Sequence, residues 1–186
     1  CVRVDIEDAQ SAASLLDDGW RQIEILETWQ NCHPYYSTFD VTIEGAKEVD
    51  LKRCLEIARM SSLHDRLHRD PLVRREDADA AKAEWVKQLF ASPFTARLVC
   101  KPRAIDEAQG FVILSDDMDE VVRIDFIAVD PADRRQGIGT RLLHAAVMLR
   151  GGQRLRAGTQ STNHAARELY ARLGMRMVRE QRTFHK

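Results

Sequence analysis

The sequence predicts the α/β (α+β) class, a central sheet flanked by helices. Three features predict it. Apolar runs of strand length alternate along the chain with segments whose apolar residues recur at helical spacing. Two neighbouring runs, 109–115 and 120–129, flank the polar stretch Ser-Asp-Asp-Met-Asp-Glu, which reads as a hairpin turn and makes them antiparallel neighbours. Glycines close three of the helical segments, at Gly19, at Gly151 with Gly152, and at Gly174.

Taken in order, residues 9–18 read as a short helix stopped by Gly19, and Ile23, Ile25 and Trp29 mark one face of the strand that follows. Segment 30–46, holding Pro34, Tyr35, Tyr36 and Gly45, reads as a connector. Val49, Leu51, Leu55 and Ala58 give helical spacing over 48–61. The chain turns near Pro71, and 76–91 forms a second helix carrying Ala80, Trp85, Leu89 and Phe90. Strands are expected at 94–101, 109–115 and 120–129. Ile138, Leu142, Ala145, Ala146 and Leu149 mark a helix, followed by a strand at 153–159, a helix at 163–173 and a last strand at 175–184.

With 186 residues, 44% hydrophobic and 31% charged, the chain suits one domain or a domain with a small appendage. A net charge of −1 gives no field that draws nucleic acid or an anionic membrane. Cys1, Cys32, Cys54 and Cys100 are scattered without paired spacing, so no metal site is expected and a reducing, cytoplasmic setting fits. Apolar stretches such as 145–149 are far too short to span a bilayer.

One internal echo stands out. Gly19-Trp20-Arg21-Gln22-Ile23 overlays Gly174-Met175-Arg176-Met177-Val178, and without a gap Thr28-Trp29 falls on Thr183-Phe184. Any helix-Gly-strand unit would look similar. A duplicated half-domain, its N-terminal copy reduced to one helix and strand, would look the same. The expected division is a remnant half-domain with connector at 1–45 and the main domain at 46–186.

The stretch Val-Asp-Pro-Ala-Asp-Arg-Arg-Gln-Gly-Ile-Gly, residues 129–139, joins a strand to a helix. Pro131 ends the strand and fixes the backbone at the start of the loop. The first N–H groups of a helix lack internal partners and carry the positive end of its dipole. Gly137 and Gly139 let an anion approach those amides, and Arg134 and Arg135 add charged donors. The stretch is suited to phosphate. A dinucleotide fingerprint would need glycine at Leu142, and a Walker loop would need Gly-Lys-Ser/Thr; neither is present.

Arg134-x-x-Gly137-x-Gly139 resembles the pyrophosphate loop of the GCN5-related N-acetyltransferases. Residues 159–174, Thr-Gln-Ser-Thr-Asn-His-Ala-Ala-Arg-Glu-Leu-Tyr-Ala-Arg-Leu-Gly, resemble that superfamily's Asn-x-x-Ala…Leu-Tyr-x-x-x-Gly helix. The resemblance covers 109–186. It implies a mixed sheet with two neighbouring strands splayed apart and acetyl-CoA as cosubstrate, with no metal. Backbone groups of Ile127, Ala128 and Val129 would meet the pantetheine arm. Arg134, Arg135, Gln136, Gly137, Ile138, Gly139 and Thr140 would hold the pyrophosphate, and Asn163 would reach the cofactor.

An acetyl thioester needs a neutral amine to attack it and a proton for the departing thiolate. Tyr170 is expected to be the general acid, since a phenol (pKa ~10) can protonate a thiolate (~8.5). As a lone residue it would more often read as core. The base is open among Asp125, His64 and His68, with Asp125 preferred. For the acceptor, Ser-Ser-Leu-His-Asp-Arg-Leu-His-Arg-Asp-Pro-Leu-Val at 61–73, the helix with Trp85 and the chain end Thr183–Lys186 resemble dTDP-fucosamine (dTDP-4-amino-4,6-dideoxygalactose) N-acetyltransferases. Those enzymes also carry an incomplete N-terminal half-domain. Ser62-Leu63 departs from the Arg-Phe frequent there, and the chain is shorter at its N-terminus. His64, Arg66, His68 and Arg69 are then candidates for nucleotide-sugar contact, arginine forks matching phosphate oxygens. A solvated charged face is the alternative. Other amines remain open as acceptors, namely a protein N-terminus, a polyamine or an antibiotic. So does acetyl-CoA sensing without turnover. A homodimer is compatible with the sequence.

Overall fold

A computed structural model describes residues 1–31, 42–61, 64–101, 107–117, 121–151 and 154–186. Among these, eight strands form one mixed sheet in the order β1-β8-β2-β7-β6-β5-β4-β3. The strands are β1 Val2–Asp5, β2 Arg21–Asn31, β3 Ile43–Gly45, β4 Thr95–Cys100, β5 Gly110–Asp116, β6 Val121–Val129, β7 Arg154–Gln160 and β8 Met175–His185. The helices are α1 Ala9–Asp17, α2 Leu51–Ser61, α3 Arg66–Arg69, α4 Arg75–Ala91, α5 Ile138–Leu149 and α6 His164–Arg172. Short 3-10 turns precede α2 at Glu48–Asp50 and α5 at Pro131–Asp133.

The sheet separates two cores. On one face Ile138, Leu142, Leu143 and Ala146 of α5 join Tyr170 of α6 over Val112, Val122, Ile124 and Ala157. On the other face Cys54, Ile57 and Ala58 of α2 and Val86 and Phe90 of α4 pack on Val99, Phe111, Phe126 and Ala128. β5 and β6 pair antiparallel, as the hairpin pattern required, although 118–120 lie outside the described residues.

Several expectations need correction. The buried face of α4 is Ala78, Ala83, Val86 and Phe90, whereas Ala80 and Trp85 are exposed. Val49 is also exposed, because the first turn it belongs to is a 3-10 turn whose side chains do not continue the α-helical stripe. The connector 30–46 contains the edge strand β3, and Asn31 still belongs to β2; Pro34, Tyr35 and Tyr36 lie outside the described residues. Neither β1 nor the four-residue α3 was legible, both being too short for a period to show.

The 155-residue offset from Gly19 to Gly174 extends through the whole N-terminal unit. It carries α1 onto α6, N-cap Asp8 onto N-cap Asn163, and one left-handed glycine onto the other. Pairs on β1 and β8, such as Val2 with Phe184, map onto pairs of β7 with β2, here Ala157 with Trp29. Leu26 and Gln181 pair with each other across β2 and β8 and map onto each other, so a pseudo-twofold normal to the sheet passes between them. Even the irregularities correspond: Ile23 and Val178 are the residues left out of register. Because β2 lies between β7 and β8, residues 1–31 share one sheet with the rest.

Candidate active site

The site grows from a break between two parallel strands. β6 and β7 pair from Val121 with Arg154 as far as Ile124 with Ala157, and no pair follows, although β6 runs on to Val129 and β7 to Gln160. Beyond that rung, the backbone groups of β6 that point away from β5 face a gap. Ile127, Ala128 and Val129 line it, held on the far side by pairing with Val112, Phe111 and Gly110.

Asp125 stands where the strands part. Ile113 pairs with Phe126 and Leu114 with Ile124, so Asp125 is the extra residue of a bulge, a device that re-aims a side chain. Its side chain is 5% exposed. Oδ1 accepts from Arg123 Nε at 2.7 Å, while Oδ2 is buried without a partner. An unmet buried carboxylate oxygen is costly, and it has lone pairs to offer a donor brought to it.

The loop after β6 is built by Asp130. Its Oδ1 caps the 3-10 turn by accepting from Ala132 N at 2.8 Å, and Oδ2 accepts from Arg53 of α2. Gln109 Nε2 donates to Asp133 Oδ1 at 2.8 Å. The loop is thereby fixed before it reaches Arg134, whose Nε donates to the Val129 carbonyl at 3.3 Å. Arg135 and Gly137 both take left-handed backbone, φ 66° and 78°. Arg135 is the single non-glycine residue in that region among those described, at a cost of about 1–2 kcal/mol. Arg141 N donates to Gly137 O at 3.0 Å, so the N–H groups of Ile138, Gly139 and Thr140 precede the first intrahelical bond of α5. Residues 134–137 are exposed, so the helix mouth is open.

Gly139 also joins this mouth to α6. A Cβ there would stand 3.2 Å from Leu169 Cδ2 and 4.0 Å from Val129 Cγ2. Tyr170 follows Leu169, is 2% exposed, and its ring centre lies 6.2 Å from that of Trp29 on β2. Burial pushes its phenol well above the ordinary range, so it holds its proton throughout neutral pH. Asn163 caps α6, Oδ1 accepting from Ala166 N at 3.2 Å.

On the opposite face, Ser61 ends α2 near Arg134, and α3 packs on β2 and α4. Ser61 Oγ lies 3.5 Å from Arg134, whereas Arg69 reaches Thr162 and the Ile23 carbonyl. His68 does not offer a ring nitrogen to a substrate: Nδ1 meets Asp65 Oδ2 at 2.8 Å and Nε2 meets Asp79 Oδ1 at 2.9 Å. It cross-links α3 to α4, which corrects its candidacy as base and substrate contact. Arg66 lies 3.8 Å from Cys1 Sγ, near Arg3. Arg66 therefore lies toward the β1 edge of the sheet and Arg69 against β2, rather than where β6 and β7 part. Asp70, 5% exposed, accepts from Arg21 at 2.8 Å and meets His185 Nδ1 at 2.7 Å, clasping β2 and β8. Trp85 presents an exposed ring edge-on to Phe126 at 5.8 Å, with Lys82 Nζ 4.9 Å from its centre. Sequence reasoning missed this aromatic wall and the Arg53–Asp130 brace; only the spacing of Trp85 from the buried stripe could have pointed to the first. Among the described residues no cluster of His, Cys, Asp and Glu could hold a metal, and no helix is long and apolar enough to cross a membrane.

Parallel strands that part beside an open helix mouth, in a mixed sheet flanked by helices, are the features the comparisons with known proteins share in fold. The sequence model of the acetyltransferase (GNAT) family matches residues 58–175, and the chain belongs to that family. Solved structures agree in fold. An acetyltransferase of the family from Novosphingobium aromaticivorans superposes with a TM-score of 0.62 at 16% identity, over 88% of this chain and 65% of that one. A GCN5-related N-acetyltransferase from Sphaerobacter thermophilus gives 0.67 at 13% identity, over 99% and 58%. The ribosomal-protein-S18-alanine N-acetyltransferase of Escherichia coli gives 0.56 at 18%, over 77% and 90%. The chain thus spans less than two thirds of the length of the first two. No curated protein matches the sequence significantly.

Proposed function

We propose that the protein moves an acetyl group from acetyl-CoA to the primary amine of a dTDP-linked 4-amino-4,6-dideoxy sugar. The observation that carries the acetyl-transfer part is the unpartnered Oδ2 of Asp125 at the point where β6 leaves β7. Bound acetyl-CoA supplies the thioester that the amine attacks and the thiolate that leaves. Amides of Arg134 to Thr140 hold its diphosphate, Gly137 and Gly139 keeping the approach clear, and outward backbone groups of Ile127 to Val129 align the pantetheine arm. Asn163 steadies the start of α6 beside them. Asp125 takes the proton of the attacking amine, and Tyr170, kept protonated by burial, gives one to the sulfur.

The sugar part is supported by the exposed Trp85 ring beside Phe126, a flat apolar wall suited to a deoxy sugar, and by Arg69 near Thr162, a guanidinium that could meet a phosphate; His64 and Arg66 are carried as candidates from the sequence alone. Lys82 adds a cation at that wall. The test is a thermal-shift and thiol-release comparison. Stabilisation by dTDP, with thiol release from acetyl-CoA on adding the dTDP-amino sugar, is expected. Acetylation of an alanine-terminated peptide or a polyamine without any dTDP shift would overturn the sugar assignment. Acetyl-CoA binding with no thiol release to any amine would leave a sensor.

A further inference from the structure

The pseudo-twofold lets two copies of one packing problem be compared. In the N-terminal copy, α1 is docked by apolar groups: Phe184, Val4 and Ala12 are buried, with Leu15 against them. At the symmetry-related places around α6, Trp29 replaces Phe184, Arg167 replaces Ala12 and Tyr170 replaces Leu15. Here the apolar solution has become a charged one. Glu27, 2% exposed, has its Oε2 bound by both Trp29 Nε1 at 2.9 Å and Arg167 Nε at 3.0 Å. Arg167 is anchored again on the Ser161 carbonyl at 3.4 Å. The Trp29 ring then rests beside Tyr170.

Docking a helix at this position does not require a half-buried ion pair, since α1 is docked by apolar contacts, and such pairs contribute little net stability. Of the residues that differ between the copies, the tyrosine is the one to which the proposed chemistry is assigned. We propose that Glu27, Trp29 and Arg167 are positioning residues that fix the Tyr170 ring, so that the duplicated N-terminal unit serves the reaction by lending β2 as one wall of the tyrosine's seat. The inference rests on the general-acid reading of Tyr170.

Trp29→Phe installs the aromatic of the symmetry-related site, and Glu27→Gln keeps shape while removing charge. Each is made in the wild-type and the Tyr170→Phe background. Turnover is read as thiol release from acetyl-CoA with the best amine of a panel holding the dTDP-amino sugar, spermidine and an alanine-terminated peptide. The Tyr170 ring-carbon resonance, assigned by its loss in Tyr170→Phe, is read by NMR on 13C-tyrosine-labelled protein. The expected result is a roughly tenfold lower kcat in the wild-type background, an acetyl-CoA KM within about twofold, no further loss in Tyr170→Phe, and a shifted or broadened Tyr170 signal. Equal losses in both backgrounds, or an unchanged Tyr170 signal in both variants, would overturn the positioning role. A Tyr170→Phe enzyme with full turnover would instead remove the general-acid reading, and the resonance would still report whether the network holds the ring.

Discussion

Gly139 on α5 lies against Leu169 on α6, so closely that a single methyl group at Gly139 would come within 3.2 Å of a leucine methyl. This contact sets the separation of the α5 mouth, proposed to hold a diphosphate, from the helix that carries Tyr170. Gly139→Val should press the two helices apart and block approach to the first-turn amides. A rise in the acetyl-CoA KM of about tenfold or more is expected in steady-state kinetics, with Tm lowered by overpacking.

Arg135 and Gly137 test the loop from opposite directions. Gly137→Ala meets open space but keeps a left-handed φ, so about 1 kcal/mol of stability should be lost in chemical denaturation. Arg135→Gly relieves the same kind of strain and should stabilise by a few tenths to about 1 kcal/mol, while the loss of a cation raises the acetyl-CoA KM. Stability and affinity thus move in opposite senses at one position.

Asp125→Asn should lower kcat by about 10²-fold or more with only a small change in Tm, because the ion pair it weakens is to a half-exposed Arg123 and the other oxygen has no partner to lose. Tyr170→Phe should reduce kcat by a similar factor and leave the acetyl-CoA KM in place. With its phenol pushed up by burial, Tyr170 should cause no loss of kcat as pH rises to about 10.

Asp70 gives a pH dependence of stability. Hydrogen bonding from Arg21, the Leu72 amide and His185 holds its carboxyl well below the usual carboxylate range. A carboxyl lowered on folding adds stability that is present above its unfolded pKa of about 4 and is lost as pH falls toward the folded value. Asp70→Asn should therefore lower Tm clearly at pH 7, and the gap to wild type should narrow as pH falls below about 4.

The glycine-bearing loop and the helix of Tyr170 were legible because their residues must satisfy backbone geometry that few sequences meet. The strand pattern from β4 to β8 was legible for the same reason, apolar runs and turn residues agreeing with each other. The parting of β6 from β7 was not readable from local pattern and came only with the family resemblance, since no residue type forces two strands to stop pairing. Asp125 stood beside His64 and His68 as a candidate base; the aim of its side chain depends on a bulge opposite β5. His68 misled because its two carboxylate partners come from different helices. Trp29 gave only an echo, Thr28-Trp29 against Thr183-Phe184, and Glu27 gave none; their contact with Arg167 required the fold.

The central claim is that the mouth of α5 grips the diphosphate of acetyl-CoA and thereby brings its thioester to Asp125 and Tyr170. Calorimetric titration with acetyl-CoA and with S-acetylpantetheine, which lacks the diphosphate, tests it most directly. One acetyl-CoA per chain, with S-acetylpantetheine weaker by about 100-fold or more, is the predicted result. Equal affinity for the two, or no binding of acetyl-CoA, would contradict it.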